Sequence, residues 1–330
     1  MSKIAIIGSG AMATAMAQVA HDAGQKNIIL YGIDKQELND LAQGKNLKYF
    51  PENTQLAHFQ VTDDLKFALD QAKYVILAVP SKIMDQVFEK VLAHLNSEVI
   101  IINVAKGFYP SKNVSLQQGL KIVAKDNQFI KGVVSLSGPS HAEEIVKRKY
   151  TAISVISANL DLAKKIQNML SNKYFKLYCQ TDETGAEIAG AYKNILAIGS
   201  GILFALDWGI NTVAAFLTRG LSEAQRLIIA LGGKPETILG LTGIGDLIVT
   251  ALSNLSRNYN FGQAFVKEGK KALESNHTIE GLTALKNVLE IAQTLKLDLP
   301  IAQILNQVIY HGLKLTDAMD MAWQRELKSE

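Results

Sequence analysis

Cysteine, proline and long apolar runs are all scarce in this sequence. It contains one cysteine and six prolines in 330 residues. A single cysteine, Cys179, excludes an intrachain disulfide and fits a reducing compartment, so we expect a cytoplasmic protein. The apolar segment 195–206 has 12 uncharged residues, fewer than the roughly 20 that span a bilayer. We therefore expect a buried core helix there and no integral membrane association, and the apolar run 4–7 is too short for a signal peptide.

An excess of one charge and the spacings typical of metal ligands are also lacking. The chain has 34 basic and 31 acidic residues, a net charge of +3, which does not indicate a nucleic-acid partner. Its six histidines, at positions 21, 58, 94, 141, 277 and 311, show no paired ligand spacing, so we expect no metal site. The length exceeds that of a usual single core, which predicts two domains.

A dinucleotide-binding fingerprint opens the chain. An apolar run at 3–7 is followed at once by GSGAMA, residues 8–13, and then by a helical pattern. This G-x-G-x-x-A motif between a strand and a helix is typical of Rossmann domains, where the helix N-terminus faces the pyrophosphate. An ordinary glycine turn is the alternative. Gly24, a second strand at 27–31 and Asp34 complete a βαβ unit and favour the fingerprint.

The end of that second strand bears on the type of cofactor. Asp34 lies near the position of the carboxylate that binds the ribose hydroxyls of NAD. Ile33 stands where an arginine would favour NADP, and Lys35 leaves the choice between NAD and NADP open.

Strand and helix patterns alternate up to residue 181. Strands are predicted at 74–79, 99–103, 133–136, 152–156 and 175–178, with helices such as 84–95 and 160–170 between them. This alternation predicts an α/β fold with a doubly wound, mostly parallel Rossmann-type sheet. Ligands of such sheets bind beyond the carboxyl ends of the strands, which points to Pro80, Ser81, Lys106 and the segment 138–142.

Only helical patterns follow from Asp182 onward. We therefore predict a dinucleotide-binding Rossmann domain over residues 1–181 and an all-helical substrate domain over 182–330. Helices are predicted at 182–206 and 212–231, and a glycine-rich loop at 240–246. Two amphipathic helices, the second with Pro300 in its first turn, are predicted to close the chain.

The helix predicted at 182–206 carries one lysine, Lys193, among small apolar residues. Such a lysine either extends outward to solvent or is desolvated, and a desolvated lysine has a lowered pKa and can exchange protons. Hydride transfer to a carbonyl needs an acid near the oxygen. Asp246 can orient such a lysine, or can simply cap the helix that follows the glycine-rich loop. Arg257, flanked by Ser256 and Asn258, has the donors that a phosphate dianion needs; an ordinary surface arginine is the equal alternative.

These residues belong to stretches that resemble the bacterial-type NAD(P)-dependent glycerol-3-phosphate dehydrogenases over nearly the whole chain. The matching stretches are GSGAMATAMA (8–17), NLKYFPEN (46–53), LAVPS (77–81), AKG (105–107), GPSHAEE (138–144), GAEIAGAYKNILAIGSG (185–201), INTVAAFLTRGLSEAQRL (210–227), GLTGIGDLIVT (240–250), SRNYNFG (256–262) and IEG (279–281). Their order across both predicted domains is more specific than any single stretch. The resemblance implies a Rossmann domain, an all-helical domain and a homodimer.

The resemblance also implies a reaction and its residues. The family interconverts dihydroxyacetone phosphate and sn-glycerol 3-phosphate with NAD or NADP, and the product feeds phospholipid synthesis. Lys193 is implied as the general acid/base. The substrate is expected to contact Lys106, Gly138, Ser140, Lys193, Asp246, Ser256, Arg257 and Asn258. The cofactor is expected to contact Gly8, Ser9, Gly10, Ala11, Met12, Ala13, Ile33, Lys106, Ala142, Arg257, Ile279 and Glu280.

Several positions depart from the family pattern. The segment 11–13, Ala-Met-Ala, replaces the usual Ser-Trp/Tyr-Gly of the phosphate turn, which removes a hydroxyl and an aromatic ring but keeps the backbone donors. Ile33 replaces a basic residue, which puts a preference for NADP in doubt. His141 and Ala251 replace an aromatic residue and a cysteine. Lys193, Lys106, Asp246 and the 256–258 triplet are unchanged, so we expect the chemistry to be kept.

Two other functions fit parts of the pattern. Another two-domain Rossmann dehydrogenase, acting on a hydroxy acid or an imine, would not need a phosphate contact at Arg257. A non-catalytic nucleotide-binding protein would leave both Lys193 and Arg257 without a role.

Overall fold

The computed structural model describes residues 2–112, 114–274 and 279–324. The chain divides into two compact units, Met1–Glu187 and Ile188–Glu330.

The first unit is built on an eight-stranded sheet. Its strands are β1 (Lys3–Ile7), β2 (Ile28–Tyr31), β3 (Gln60–Thr62), β4 (Ala72–Leu77), β5 (Val99–Asn103), β6 (Ile130–Ser137), β7 (Thr151–Ile156) and β8 (Phe175–Gln180). The spatial order is β3-β2-β1-β4-β5-β6-β7-β8. Neighbouring strands are parallel except for β6 and β7, which are antiparallel. The predicted mostly parallel sheet is confirmed, whereas β3 is missed by the sequence pattern because it is only three residues long and has no apolar run.

Helices cover both faces of this sheet. They are α1 (Ala11–Asp22), α2 (Lys35–Ala42), α3 (Leu65–Leu69), α4 (Met84–His94), α5 (Leu116–Ala124), α6 (Ala142–Ile145) and α7 (Leu160–Leu170). Successive residues of a strand point to opposite faces. Ile4 and Ile6 of β1 accordingly enter a core cluster with residues of α1 and α7, while Ala5 and Ile7 enter another with residues of α4 and α5. This two-sided core confirms the doubly wound architecture.

The carboxyl ends of three central strands are level, and a fourth strand, β6, extends two residues further, from Ser135 to Ser137. Ile7 of β1 is in register with Leu77 of β4, Leu77 with Asn103 of β5, and Asn103 with Ser135 of β6. The segments that follow these strands therefore meet at one edge of the sheet, where ligands of doubly wound folds bind.

The second unit contains only helices among its described residues. They are α8 (Glu183–Ala205), whose first residues belong to the first unit, α9 (Gly209–Ala230), α10 (Asp246–Ala251), α11 (Arg257–Glu268), α12 (Glu280–Leu295), α13 (Pro300–His311) and α14 (Leu315–Trp323). The all-helical prediction is confirmed. The expectation that two helices close the chain is wrong, because α14 follows them; only Ala318 of α14 is buried.

Helix α8 is the central helix of the second unit. It is long and apolar enough to cross a membrane, but 89% of its most apolar 18-residue window is buried inside the protein, as expected for a core helix. Its glycines allow the backbone of another helix to approach closely. A Cβ on Gly201 would collide with the carbonyl oxygen of Tyr259 in α11, and a Cβ on Gly262 of α11 would collide with the carbonyl oxygen of Ile198 in α8. The small residues of α8 thus allow α11 to pack directly against it.

Candidate active site

The turn after β1 has the backbone geometry of a phosphate-binding loop. Gly8 has φ +123°, and a Cβ on it would lie 2.5 Å from the carbonyl oxygen of Ala78, so only glycine fits. Gly10 is the N-cap of α1 without a side-chain cap, and helical hydrogen bonding begins with the Thr14 amide, which donates to Gly10 O at 3.0 Å. The amides of residues 11–13 consequently have no intrahelical acceptor.

This arrangement fits the pyrophosphate of a dinucleotide. Amides at a helix N-terminus, together with the helix dipole, form an anion site. The segment 11–13 supplies them through its backbone, so the departure from the family's side chains leaves these donors in place. Ser9 O accepts a hydrogen bond of 2.9 Å from Asn46 Nδ2, which fixes the turn.

The ends of β5 and β6 bring three predicted residues together. Lys106 Nζ donates to Gly138 O at 3.0 Å, and Ser140 Oγ donates to the same oxygen at 2.9 Å. Gly138 has φ +149°, and a Cβ on it would lie 2.9 Å from Cβ of Ile153. Ala142 begins α6 and is buried. Lys106, Gly138 and Ser140 therefore form one cluster at the ligand-binding edge of the sheet.

The second unit contains a buried ion pair on α8 and α10. Lys193 Nζ lies 2.9 Å from Asp246 Oδ1, and the two side chains are 6% and 2% exposed. Lys193 Nζ also donates to Thr250 Oγ1 at 2.6 Å, and Thr250 Oγ1 donates to the backbone oxygen of Asp246 at 2.7 Å. Asp246 is the first residue of α10, whose N-cap is Gly245. Its carboxylate therefore contacts Lys193 rather than serving only as a helix cap.

The 256–258 triplet forms the start of α11. Ser256 is the N-cap, and its hydroxyl accepts a hydrogen bond of 3.3 Å from the Tyr259 amide. The Arg257 side chain is 61% exposed and its Nη2 lies 3.5 Å from Glu280 Oε1. Arg257, the cation of the triplet, is thus accessible to solvent at a helix N-terminus that favours anions.

The Asn258 side chain is buried and engaged at both ends. Its Nδ2 donates to Asn194 Oδ1 at 3.0 Å, and its Oδ1 accepts from the Gly281 amide at 2.8 Å. Asn194 Nδ2 also lies 3.4 Å from Glu280 Oε2. This network joins α8, α11 and the start of α12, where Ile279 is the N-cap and Glu280 the first residue.

Several residues at these sites are missed by the sequence interpretation. Thr250 lies four residues after Asp246, so both face the same side of α10, and that spacing is the signal that could have revealed it. Asn194, next to Lys193 in the chain, carried no signal because its partner is distant in sequence. The 46–50 turn, which includes Asn46, lies within one of the quoted family stretches without an assigned role.

Metal ligands are not grouped in the part of the chain that the structure describes. No set of three or more His, Cys, Asp or Glu side chains in residues 2–112, 114–274 and 279–324 is placed to hold a metal ion. His277 lies outside those residues.

The fold, the phosphate turn and the buried lysine–aspartate pair together define a class of protein. A Rossmann unit with a phosphate turn, joined to a helical unit with a buried lysine–aspartate pair, is the plan of a two-domain nicotinamide-dependent dehydrogenase. Residues 3–163 match the family description of the NAD-dependent glycerol-3-phosphate dehydrogenase N-terminus, and residues 182–320 match that of its C-terminus. The chain belongs to the NAD-dependent glycerol-3-phosphate dehydrogenase family.

Individual relatives agree along the full length. The chain is 49% identical to a glycerol-3-phosphate dehydrogenase [NAD(P)+] of Mycoplasma mobile, covering 100% of this chain and 98% of that protein. It is 36% identical to one of Clostridium perfringens, covering 100% and 99%. The crystal structure of glycerol-3-phosphate dehydrogenase from Coxiella burnetii superposes with a TM-score of 0.86 at 32% identity, covering 98% and 99%. The predicted family, the two-part fold and an NAD(P)-dependent oxidoreductase are confirmed.

Proposed function

We propose that this chain reduces dihydroxyacetone phosphate to sn-glycerol 3-phosphate, reversibly, with Lys193 as the general acid/base. The observation that carries the proposal is the buried contact of Lys193 Nζ with Asp246 Oδ1, at 2.9 Å. When bound, NAD(P)H supplies the hydride. Lys193 Nζ donates a proton to the substrate's C2 oxygen, and in the reverse direction the deprotonated amine takes the proton back.

Asp246 and Thr250 hold the lysine for this transfer. Their oxygens fix Nζ through contacts of 2.9 and 2.6 Å, so the ammonium group does not have to be ordered when the substrate arrives. Lys106, placed by its bond to Gly138 O, is proposed to contact the substrate. Ser140 shares that carbonyl and is proposed to line the substrate position with Gly138.

The substrate phosphate is proposed to bind at the start of α11. Arg257 offers an exposed guanidinium fork, and it is the first residue of α11, whose N-terminal amides favour an anion. Ser256 and Asn258 have side chains engaged within the protein, so they contribute by positioning this helix end and through backbone amides.

The dinucleotide is proposed to extend from the phosphate turn at 8–13. The turn binds the pyrophosphate, and Ile33 lies beside the adenosine ribose at the end of β2. The remaining proposed cofactor contacts are Lys106, Ala142, Arg257, Ile279 and Glu280. The support for these residues is the family pattern together with the phosphate-turn geometry.

The cellular role follows from the product. Glycerol 3-phosphate is the backbone of glycerophospholipids, and we propose that the enzyme supplies it in the cytoplasm as a homodimer. Exposed apolar side chains on and near α10, namely Leu239, Ile248, Leu252 and Leu255, support an apolar interface. Light scattering should give twice the mass of the 36.0 kDa chain; a monomer at micromolar concentration would contradict the homodimer.

The acid/base role is tested at Lys193. Lys193→Arg keeps a positive charge but cannot release a proton near neutral pH, so kcat for dihydroxyacetone phosphate should fall by at least about 10²-fold while NADH still binds. Lys286→Ala, which removes an exposed lysine of α12, is the matched control. Near-normal turnover of Lys193→Arg would end the proposal.

The phosphorylated substrate is tested at Arg257. Arg257→Ala should raise KM for dihydroxyacetone phosphate by about 10- to 100-fold, the loss of a charged hydrogen bond of roughly 1.5–3 kcal/mol. Arg219→Ala on α9 is the control. An unchanged KM would instead favour a dehydrogenase of unphosphorylated hydroxy acids or imines.

A further inference from the structure

A turn formed by residues 46–50 lies across the phosphate turn. Asn46, which is 2% exposed, donates through Nδ2 to Ser9 O and to Thr14 Oγ1, both at 2.9 Å. Phe50 is buried in the core beneath. Tyr49 Oη would lie 3.6 Å from a Cβ placed on Gly10. The 46–50 turn is therefore anchored on both sides of the dinucleotide fingerprint.

This turn delivers a lysine to two carboxylates at the end of β2. Lys48 Nζ lies 3.1 Å from Asp34 Oδ2 and 2.6 Å from Glu37 Oε1. Glu37 is buried, and its carboxylate also accepts from Ser9 Oγ and, at 3.1 Å, from Tyr49 Oη. Asp34, Lys48 and Glu37 form a charged triad with a net charge of −1, directly connected to the phosphate turn through Ser9.

The carboxylates of the triad are held in place from the protein side. Asp34 Oδ1 accepts from the amides of Gln36 and Glu37, at 3.0 and 3.2 Å, as the N-cap of α2. These amides and Lys48 lower the pKa of Asp34, and the hydrogen bonds that Lys48 donates to Glu37 and Asp34 raise the pKa of Lys48. Asp34 and Lys48 are consequently both charged at neutral pH.

In a Rossmann domain the end of β2 faces the adenosine ribose, where NAD carries a 2′-hydroxyl and NADP a 2′-phosphate. Ile33 at this position is 85% exposed and offers no charge. The cation nearest to Asp34 instead comes from the 46–50 turn and is already bound to two carboxylates.

We propose that Lys48, held between Asp34 and Glu37, reads the 2′ position of the adenosine ribose and makes this chain select NAD(H) over NADP(H). The inference rests on the proposed placement of the dinucleotide on the phosphate turn. A hydroxyl donates to the anionic triad. A phosphate dianion meets two carboxylates and a lysine that must first leave them, so its binding is opposed.

A single change in the triad is expected to reverse this selectivity for NAD(H). Removing the charge of Asp34 leaves Lys48 with one carboxylate and lowers the repulsion of a phosphate. Lys48 then becomes the phosphate ligand that the uncharged Ile33 does not supply. This effect depends on Lys48 and not on Lys35, which lies in the first turn of α2 and carries the same charge.

The experiment measures dissociation constants of NADH and NADPH by quenching of protein fluorescence. The wild type should bind NADH at least about tenfold tighter, a difference of about 1.4 kcal/mol. Asp34→Asn should lower the ratio of the NADPH dissociation constant to the NADH dissociation constant by about tenfold. The double variant Asp34→Asn/Lys48→Met should not show this gain in NADPH affinity. Lys35→Met in the Asp34→Asn background is the matched control and should keep that gain.

Three results overturn the inference. They are a wild type that binds both dinucleotides equally or prefers NADPH, an unchanged ratio in Asp34→Asn, and a Lys48→Met variant that weakens both dinucleotides by the same factor, as a purely structural residue would. Turnover of dihydroxyacetone phosphate with NADH, measured in parallel, distinguishes a failure of this inference from a failure of the proposed cofactor site. Turnover with an equal affinity for both dinucleotides refutes only the selectivity, whereas absence of any dinucleotide binding refutes the proposed cofactor site as well.

Discussion

The buried pair of Lys193 and Asp246 predicts a specific pattern of stability losses. Lys193→Met removes the cation and leaves the Asp246 carboxylate, 2% exposed, without its counter-charge. Breaking one side of a buried ion pair costs about 3–5 kcal/mol. Asp246→Asn strands the lysine in the same way. Neutralising both residues removes the stranded charge, so the double variant should lose only about 1–3 kcal/mol, the cost of poorly satisfied hydrogen bonds.

The assay can be confined to the helical unit. Both tryptophans, Trp208 and Trp323, lie in Ile188–Glu330, so thermal unfolding followed by tryptophan fluorescence reports on that unit. At about 2–4 °C per kcal/mol for a unit of this size, each single variant should melt about 6–20 °C lower than the wild type. The double variant should melt higher than either single variant.

An additive result would refute this reasoning. If the double variant lost the sum of the two single losses, the residues would not interact as a charged pair. Small losses in the single variants, below about 1 kcal/mol, would place the pair in contact with solvent. In either case the argument that Asp246 positions the lysine would lose its physical basis.

Three further predictions concern groups outside the reacting residues. Burial raises the pKa of Glu187 from 4.5 to about 7. Between these pH values the folded protein therefore holds a proton that the unfolded chain releases, so the free energy of unfolding falls as pH rises from about 4.5 to 7. Glu187→Gln should be more stable than the wild type by roughly 1–3 kcal/mol between pH 5 and 8, measured by circular dichroism melts. Tyr192→Phe should cost about 1–3 kcal/mol, because buried Glu223 Oε2 loses a 2.6 Å donor; an unchanged melting temperature would show that water replaces the hydroxyl. Gly201→Ala should cost about 1–3 kcal/mol, since its Cβ would collide with Tyr259 O; a crystal structure with α8 and α11 unmoved would contradict this.

The alternating part of the fold could be predicted from the sequence because its signals are local. Buried strands such as Val99–Asn103 are continuous apolar runs, and the ends of parallel strands meet at one edge wherever the helices between them are long enough. That rule predicts Lys106 and Gly138 at the same edge, and in the structure Lys106 Nζ donates to Gly138 O at 3.0 Å. The short polar strand Gln60–Thr62 gave no such signal, since pairing with β2 rather than its own composition makes it a strand.

The hydrogen-bond partners of a side chain are less predictable from the sequence than the helix or strand on which the side chain lies. Glu223 shares a helix face with Arg219 and Arg226, which locally indicates intrahelical ion pairs. In the structure the Glu223 carboxylate instead accepts from Tyr192 Oη and from the Ile301 amide, at 2.6 and 2.7 Å. Both partners are more than 30 residues away in the chain, and burial of the helix face decides the outcome.

Helix α8 shows why the site depends on packing that a sequence pattern does not contain. Lys193 and Asn194 are adjacent and therefore point about 100° apart around the helix, so they meet different neighbours. Lys193 contacts α10 through Asp246, whereas Asn194 contacts α11 through Asn258. The α11 contact requires the backbones to approach as closely as Gly201 and Gly262 allow. The small residues of α8 thus link the proposed acid/base group to the proposed phosphate-binding end of α11 through one helix. A side chain added at Gly201 should displace the start of α11 and leave the Lys193–Asp246 pair intact.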